Sequence, residues 1–428
     1  GSRRHHHPPV TRSAASGGIT MLSQYDEYPV HQAARPFAHI PSTDYSWDEG
    51  YYFGVFSADA QIYLLTGMRV NPNADMIGGY AIINIAGRQY SVRVSRCWRR
   101  EMDTRIGPLA YRFVEPLKTV RLVLDDNESA LKFDISWTGV APPYEEDHHV
   151  AETRGRVTTD QTRYSQAGVA RGWIEFEGTR HEVRPEHWAA DRDHSWGLYA
   201  DRRPLGGMSE WLPPRPVPEV QRALRFWTLF TVGEWSGFYH LHESATGAQL
   251  KMNDVFGAPF EGQLFQGWDG KTLKLASARH ELRFVPGTRI LSGATIHLVD
   301  EQGQPWRQHF EVASPPWVVQ TMGYTPGSWK DGGTMHTYHG SEELALEWDD
   351  FDFAQQPFDY TPYPPRHGGT GASAKEIAEN FGLGTATQCQ GLEYLTRIEL
   401  VAPDGRVHHG QGHVECFING RFEPYGFV

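Results

Sequence analysis

Strict alternation of apolar and polar residues is the feature that most constrains how this chain can fold. Residues 131–137 read Leu-Lys-Phe-Asp-Ile-Ser-Trp, and residues 120–124 show the same alternation shortly before them. A period of two places the apolar side chains on one face of a β-strand. Asp126 and Asn127 lie between the two stretches and can form a turn. The sequence therefore predicts an antiparallel hairpin with one buried face.

Similar pairs recur along the chain. Residues 81–85 and 90–94 flank the short stretch 86–88, and residues 398–400 precede a turn that leads to Val407. The 44 glycines and 28 prolines provide many more turns. Because no long helical pattern separates the strands, we expect an all-β protein of antiparallel barrels or sandwiches. One short helix is predicted after the capping-box pattern Ser373–Glu376.

Composition divides the chain into five segments. Residues 1–20, which contain His5–His7, are interpreted as an expression tag and linker, and residues 21–42 as an N-terminal arm. The segment 204–220 is rich in proline and glycine and is the predicted linker between two domains. We therefore expect a first β domain at 43–203 and a second at 221–428.

Charge and cysteine content limit the partners. The net charge of −12 would repel phosphate backbones, so we expect no nucleic-acid binding. Three cysteines without a Cys-x-x-Cys spacing argue against a disulfide framework or a zinc knuckle and favour a reducing compartment. No apolar run approaches the roughly 18 residues of a membrane-spanning helix. We expect a cytoplasmic protein, and peripheral membrane contact stays open.

The densest cluster of chemically active residues is Arg-Asp-His-Ser-Trp-Gly at 192–197. On a regular strand Asp193 and His194 point to opposite faces unless a bulge redirects one of them. A histidine beside the indole of Trp196 can hold a proton near neutral pH, and the indole can stabilise a cation. In the structural alternative, Asp193 binds turn amides, Trp196 fills the core, and Gly197 allows an unusual backbone angle.

Asp193–Gly197 resembles the Asp-His-x-Trp-Gly signature of carotenoid 1,2-hydratases (hydroxyneurosporene synthases) and their AttH-like relatives. The preceding stretch, from Tyr164 through Trp173 to Val183, resembles the strand pair before that signature. The similarity is good over residues 160–245. It implies two lipocalin-like antiparallel β-barrel domains in tandem, which agrees with the strand pattern.

The resemblance also implies a chemistry. Such hydratases protonate a carbon–carbon double bond, hold the carbocation against aromatic rings and add water, which requires an acid in an apolar pocket. Asp193, His194 and Trp196 match the signature. Tyr239 matches the tyrosine of a downstream Tyr-x-Asp pair, but Leu241 stands in place of its aspartate. That departure leaves the identity of the acid open between Asp193 and Glu243.

We therefore expect Asp193, His194 and Trp196 to line a pocket between the two domains, together with Tyr239 and His242 from the second domain. Several further residues are predicted to contact the substrate. They are Tyr164, Trp173, Trp188, Trp235, His336 and Tyr338.

Histidine pairs are the candidates for a metal site. His240 and His242 share a strand face at a spacing that can chelate zinc if a third ligand comes from elsewhere. Ordinary hydrogen-bonded positions are the favoured interpretation, so no metal and no cofactor is predicted. No phosphate-binding Gly-rich loop, Gly-x-Ser-x-Gly or His-Glu-x-x-His motif occurs. The acids at 347–352 are interpreted as a solvated loop.

The sequence is compatible with three functions. The first is a cofactor-independent hydratase, dehydratase, isomerase or cyclase that acts on a hydrophobic isoprenoid- or terpenoid-like substrate. The second is a non-catalytic lipocalin-like carrier of an apolar lipid. The third is a structural role, called the staple interpretation, in which the signature holds the two domains together. The sequence does not indicate the oligomeric state.

Overall fold

The computed structural model describes residues 21–98, 102–153, 155–199, 222–249, 258–324, 327–340, 344–354 and 391–428. Regular structure in these ranges consists of β-strands and a few short 3-10 turns, such as Gln24–Glu27 and Val319–Met322. The strands pair in antiparallel fashion. The predicted all-β class, with two antiparallel sheets in tandem, is confirmed. Within the same ranges, no helix has the length and apolar character needed to cross a bilayer.

The first sheet contains fourteen strands and curves into a half-barrel. Its strands are β1 (Trp47–Ser57), β2 (Ile62–Asn71), β3 (Met76–Ile85), β4 (Arg88–Cys97), β5 (Arg105–Ile106), β6 (Leu109–Glu115), β7 (Thr119–Leu124), β8 (Leu131–Gly139), β9 (Tyr144–Glu145), β10 (His149–Thr153), β11 (Arg156–Phe176), β12 (Thr179–Val183), β13 (Ala189–Tyr199) and β21 (Ala345–Asp352). The order across the sheet is β21-β4-β3-β2-β1-β13-β11-β8-β7-β6-β5, and β9, β10 and β12 also pair with β11.

The second sheet contains nine strands, eight of which form a closed barrel. Its strands are β14 (Arg222–Val232), β15 (Trp235–Ser244), β16 (Phe260–Gln266), β17 (Thr272–Phe284), β18 (Leu291–Asp300), β19 (Pro305–Val312), β20 (Trp317–Val318), β22 (Leu392–Val401) and β23 (Val407–Ile418). Pairing of β19 with β22 closes the barrel, and β20 extends from the end of β22. Closure removes the free edges that an open sheet would expose.

Alternation determines which side chains enter each core. In the predicted hairpin, Val120 pairs with Trp137 and Leu122 with Ile135, and all four side chains are buried inside the half-barrel. The hairpins predicted at 81–94 and 398–407 are confirmed as well. The barrel interior is filled in the same way by large apolar side chains. They include Phe226, Tyr239, Phe310 and Tyr394.

The two sheets meet through the faces that point away from these two cores. Tyr52 and Tyr63 of the first sheet pack with Trp317 and Leu395 of the second in one buried cluster. A smaller cluster joins Ala167 of the first sheet to barrel residues such as Trp227 and Phe238. The outer wall of the barrel therefore covers one face of the half-barrel sheet, which we call the inter-unit interface.

Strand β21 shows that the late part of the chain returns to the first sheet. It pairs with β4, where buried Arg93 forms ion pairs with Glu347 and Asp349. The interpretation of these acids as a solvated loop is therefore wrong, because they form a paired edge strand. The domain boundaries stay a prediction. The predicted linker at 204–220 and the helix after Ser373 lie outside the described residues.

Candidate active site

Strand β13 divides the signature between the two faces of the first sheet, as strand alternation requires. His194 pairs with Tyr51 of β1 and with Tyr164 of β11, and its side chain lies on the half-barrel's interior face. Trp196 shares that face. Asp193 shares the opposite face with Asp191, which contacts the barrel. The expected pocket between the two domains therefore does not hold these residues together, because Asp193 lies on the face toward the barrel and His194 and Trp196 lie on the face away from it.

The local backbone geometry explains why the signature ends in a glycine. Gly197 has a φ of 129°, and a Cβ at this position would lie 2.1 Å from the backbone oxygen of Asp160. Only glycine adopts this angle readily and fits that close approach. Gly197 therefore keeps β13 and β11 in contact beside Trp196.

His194 is held by two polar partners. Its Nε2 lies 2.7 Å from Oε1 of Glu49, and its Nδ1 lies 3.1 Å from the hydroxyl of Tyr164. Only 14% of the His194 side chain is exposed, whereas Glu49 is 47% exposed. Burial raises the pKa of Tyr164, so its hydroxyl keeps its proton at neutral pH. Carboxylate, imidazole and phenol thus form a hydrogen-bonded series that can hold and pass a proton.

Aromatic rings surround this series. The ring of Tyr51 stacks on His194 with centroids 4.1 Å apart, and the ring of Trp196 lies 5.0 Å from it. Tyr164 contacts both His194 and Trp196 edge-on. Trp196 is 38% exposed, and Phe113 beside Tyr51 is also exposed, so the rings reach the surface. Aromatic faces of this kind bind apolar ligands and stabilise cations.

Arg192 lies deeper on the same face. Its guanidinium donates two hydrogen bonds to Oε1 of Gln166, at 2.9 and 2.7 Å, and lies over the rings of Trp137 and Tyr164. Burial lowers the pKa of Arg192. Because the guanidinium of Arg192 donates to Gln166, these buried polar groups beneath the aromatic rings are hydrogen-bonded to each other.

Four of the other predicted residues lie away from His194. Tyr239 is inside the barrel, where its hydroxyl donates to Gln308. Trp235 packs on Trp306 in the same core, and Trp188 is buried in the half-barrel core. Trp173 is half-buried under the guanidinium of Arg180.

Three further predicted residues lie elsewhere again. His242 is buried on the outer wall of the barrel, with its Nε2 2.9 Å from Nδ1 of His240. His336 is buried and Tyr338 exposed, in a segment of turns at 327–340 that contains no strand. Of the eleven predicted residues, the structure therefore brings together His194, Trp196 and Tyr164.

Sequence reasoning missed Glu49 and Tyr51. Both alternate with Asp48 and Tyr52 in β1, so their shared face could be read from the sequence. What the sequence did not reveal is that β1 pairs with β13, which places Tyr51 directly opposite His194.

A second histidine, His413, is at the centre of the inter-unit interface. Its Nδ1 donates to Asp191 at 2.7 Å and its Nε2 donates to Glu393. Burial lowers the pKa of His413, but the two carboxylates outweigh this effect and raise it to about 10. Four rings surround this imidazolium. They belong to Tyr52, Tyr63, Trp227 and Trp317.

A protein family of unknown function, DUF8625, matches residues 22–361 of the chain. The chain belongs to this family. A comparison with curated proteins finds none that matches this DUF8625 member significantly.

Solved structures with a similar fold include a protein from Nitrosomonas europaea that is described as an AttH. It is 8% identical, has a TM-score of 0.44, and the match covers 87% of this chain and 93% of that one. Kievitone hydratase from Nectria haematococca matches at 9% identity and a TM-score of 0.39, covering 87% and 89%. CghA in complex with Sch210972 matches at 9% identity and 0.42, again covering 87% and 89%. Likeness at these identities concerns the fold alone.

Proposed function

We propose that this DUF8625 member is a cofactor-independent enzyme that moves a proton to or from an apolar substrate at His194. The reaction is a hydration, a dehydration, or a related isomerisation or cyclisation of an isoprenoid- or terpenoid-like molecule. One observation carries the proposal: a largely buried imidazole lies between a carboxylate and a phenol, and aromatic rings surround it.

The proton path follows the hydrogen bonds. In the hydration direction, Tyr164 donates its proton to one carbon of the double bond and regains a proton from Nδ1 of His194. Water then adds to the neighbouring cationic carbon and returns a proton to His194, so the catalyst is restored and one water is consumed. Glu49 stabilises the imidazolium before its proton leaves and after the proton returns, and His194 is neutral between these two steps.

The aromatic rings supply the other requirement. A carbocation beside Tyr51 and Trp196 is stabilised by the π faces of these two rings. Because Trp196 and Phe113 are exposed, an apolar substrate can contact rings at the surface before it reaches His194.

Deuterium incorporation provides the test, because hydration and the proton-initiated isomerisation or cyclisation of an alkene place a solvent deuterium on carbon, and a reversible dehydration does so in its reverse direction. Lipids that co-purify with the full chain are identified by mass spectrometry, and they and a set of linear isoprenoid alkenes are incubated with the protein in deuterated water. We expect deuterium in the product with the natural chain. His194→Ala should lower the rate at least about 100-fold, with a nearly unchanged melting temperature.

His181→Ala, a change on β12 away from the rings, serves as the control and should keep the full rate. A carrier of apolar lipids would bind the same molecules equally well in the natural and His194→Ala forms and incorporate no deuterium. That result, or full activity of His194→Ala, would refute the enzymatic proposal.

A further inference from the structure

A separate cluster of ionisable side chains lies at the inter-unit interface. Glu146, His240 and Glu261 are all buried, and one potential ligand atom from each lies within 4.8 Å of the others. We propose that these residues bind a divalent transition-metal ion of the Zn²⁺ class. Nε2 of His240 and one carboxylate oxygen of each glutamate are the ligands. The bound ion ties the half-barrel sheet to the barrel.

The three ligands come from both units. His240 on β15 and Glu261 on β16 are direct cross-strand partners on the outer wall of the barrel, and His240 Nε2 lies 2.7 Å from Glu261 Oε1. Glu146 comes from the first sheet, in the turn between β9 and β10. Docking of the sheets therefore completes a site that neither sheet has alone.

Each glutamate is oriented by neighbours of its own. Ser165 donates to Oε1 of Glu146 at 3.0 Å, and Nε2 of His149 lies 3.3 Å from its Oε2. Glu261 accepts hydrogen bonds from the Tyr144 hydroxyl at 2.9 Å and from the backbone N–H of Asp147. Metal-ligating carboxylates are held by such outer partners in known sites.

The histidine ligand is oriented in the same way. Nδ1 of His240 lies 2.9 Å from Nε2 of His242. In the metal-free arrangement Nε2 of His240 donates to Glu261. When Nδ1–H of His240 donates to His242 instead, Nε2 carries no proton, and a metal ion can replace the hydrogen bond between Nε2 and Glu261. His242, which the sequence suggested as a catalytic residue or as a ligand beside His240, thus becomes a positioning residue.

The charges also favour a cation. Two carboxylates are buried close together, and the nearby guanidinium of Arg163 is shared between Glu146 and Asp193. A divalent ion would supply the positive charge that buried carboxylates require. One imidazole with two carboxylates suits Zn²⁺, Mn²⁺, Fe²⁺ or Co²⁺ better than Ca²⁺ or Mg²⁺, which prefer oxygen ligands alone.

The test measures metal binding to the full chain. His5–His7 are replaced by alanine in every sample, because a histidine run binds metals by itself. After removal of metals with a chelator, Zn²⁺ is titrated calorimetrically and Co²⁺ binding is followed by its visible absorption. We expect one tightly bound ion per chain.

Variants then locate the ion. His240→Gln and Glu261→Gln should weaken binding by on the order of 100-fold or more, and His242→Gln by about 10-fold. His148→Ala is the matched control, because His148 neighbours the site in sequence but is exposed and paired with Asp160. It should bind like the unsubstituted chain.

Stability provides a second measurement. Saturating Zn²⁺ should raise the melting temperature of the unsubstituted chain and of His148→Ala, but not of His240→Gln. Absence of micromolar Zn²⁺ or Co²⁺ binding in the unsubstituted chain would overturn the proposal, whether or not the variants fold. Equally tight binding by folded His240→Gln would overturn it too, and the cluster would then be a hydrogen-bonded contact between the sheets.

Discussion

Two histidines on opposite faces of the first sheet have contrasting environments. His194 in the half-barrel has one carboxylate partner, and that carboxylate is half exposed. His413 at the inter-unit interface lies between two buried carboxylates and is itself fully buried. His413 is held as a cation because both of its nitrogens donate to buried acceptors, which raise its pKa to about 10. His194 lies near the surface and lacks this second carboxylate.

The contrast indicates how one sheet serves two purposes. Buried, doubly paired charges stabilise a defined contact between units, because removal of either partner leaves an uncompensated charge. A singly paired group near the surface contributes less to stability and remains available for chemistry. In this protein one face of the first sheet carries His194 and the partly exposed Trp196, and the opposite face joins the barrel.

The largest expected effect comes from His413→Ala. Loss of the imidazolium leaves Asp191 and Glu393 buried without their cation, which should lower the free energy of unfolding by about 4 kcal/mol. Urea denaturation measures it. His409→Ala, an exposed position on the same strand, should change stability by less than about 0.5 kcal/mol. Similar values for both variants would show that the ion pairs of His413 do not stabilise the contact between the two units.

The next effect is a dependence of stability on pH. The pKa of His413 is raised from 6.5 to about 10, so its contribution is fully present below pH 6.5 and is lost as the pH rises through 10. The free energy of unfolding should therefore fall with rising pH by up to about 1.4 kcal/mol per pH unit.

The measurement is urea denaturation of the natural chain and of His413→Gln between pH 6.5 and 10. The titratable groups around His413 include Asp191, Glu393, Tyr52 and Tyr63, and Glu415 contacts Glu393. Burial raises the pKa of Glu393 and of both tyrosines. The part of the slope that disappears in His413→Gln therefore belongs to the imidazolium together with Glu393, whose pKa the imidazolium lowers. Parallel curves for the two proteins would contradict this assignment.

The smallest expected effect is that of Trp196→Phe. Because Trp196 is partly exposed at the half-barrel surface, the change should cost less than about 1 kcal/mol. Trp137→Phe is the comparison, since Trp137 is buried and donates its indole N–H to the backbone oxygen of Asp191. That variant should cost at least about 2 kcal/mol. Unfolding by Trp196→Phe would instead support the staple interpretation.

Local pattern was sufficient for the β class and for individual hairpins. The alternation at 131–137, and its partner at 120–124, required no knowledge of distant residues, because a hairpin pairs neighbours in the chain. The same alternation correctly indicated that Asp193 and His194 could point to opposite faces.

Pairing between distant strands could not be read from the chain. Glu49 reaches His194 across 145 positions, and β21 returns to β4 across more than 240, because hydrogen-bonded sheets join any strands whose faces match. Glu146 and His240 likewise meet only when two curved sheets dock. Short-range periodicity thus specified which residues share a strand face, whereas long-range sheet pairing and docking decided which faces meet and where the ionisable groups collect.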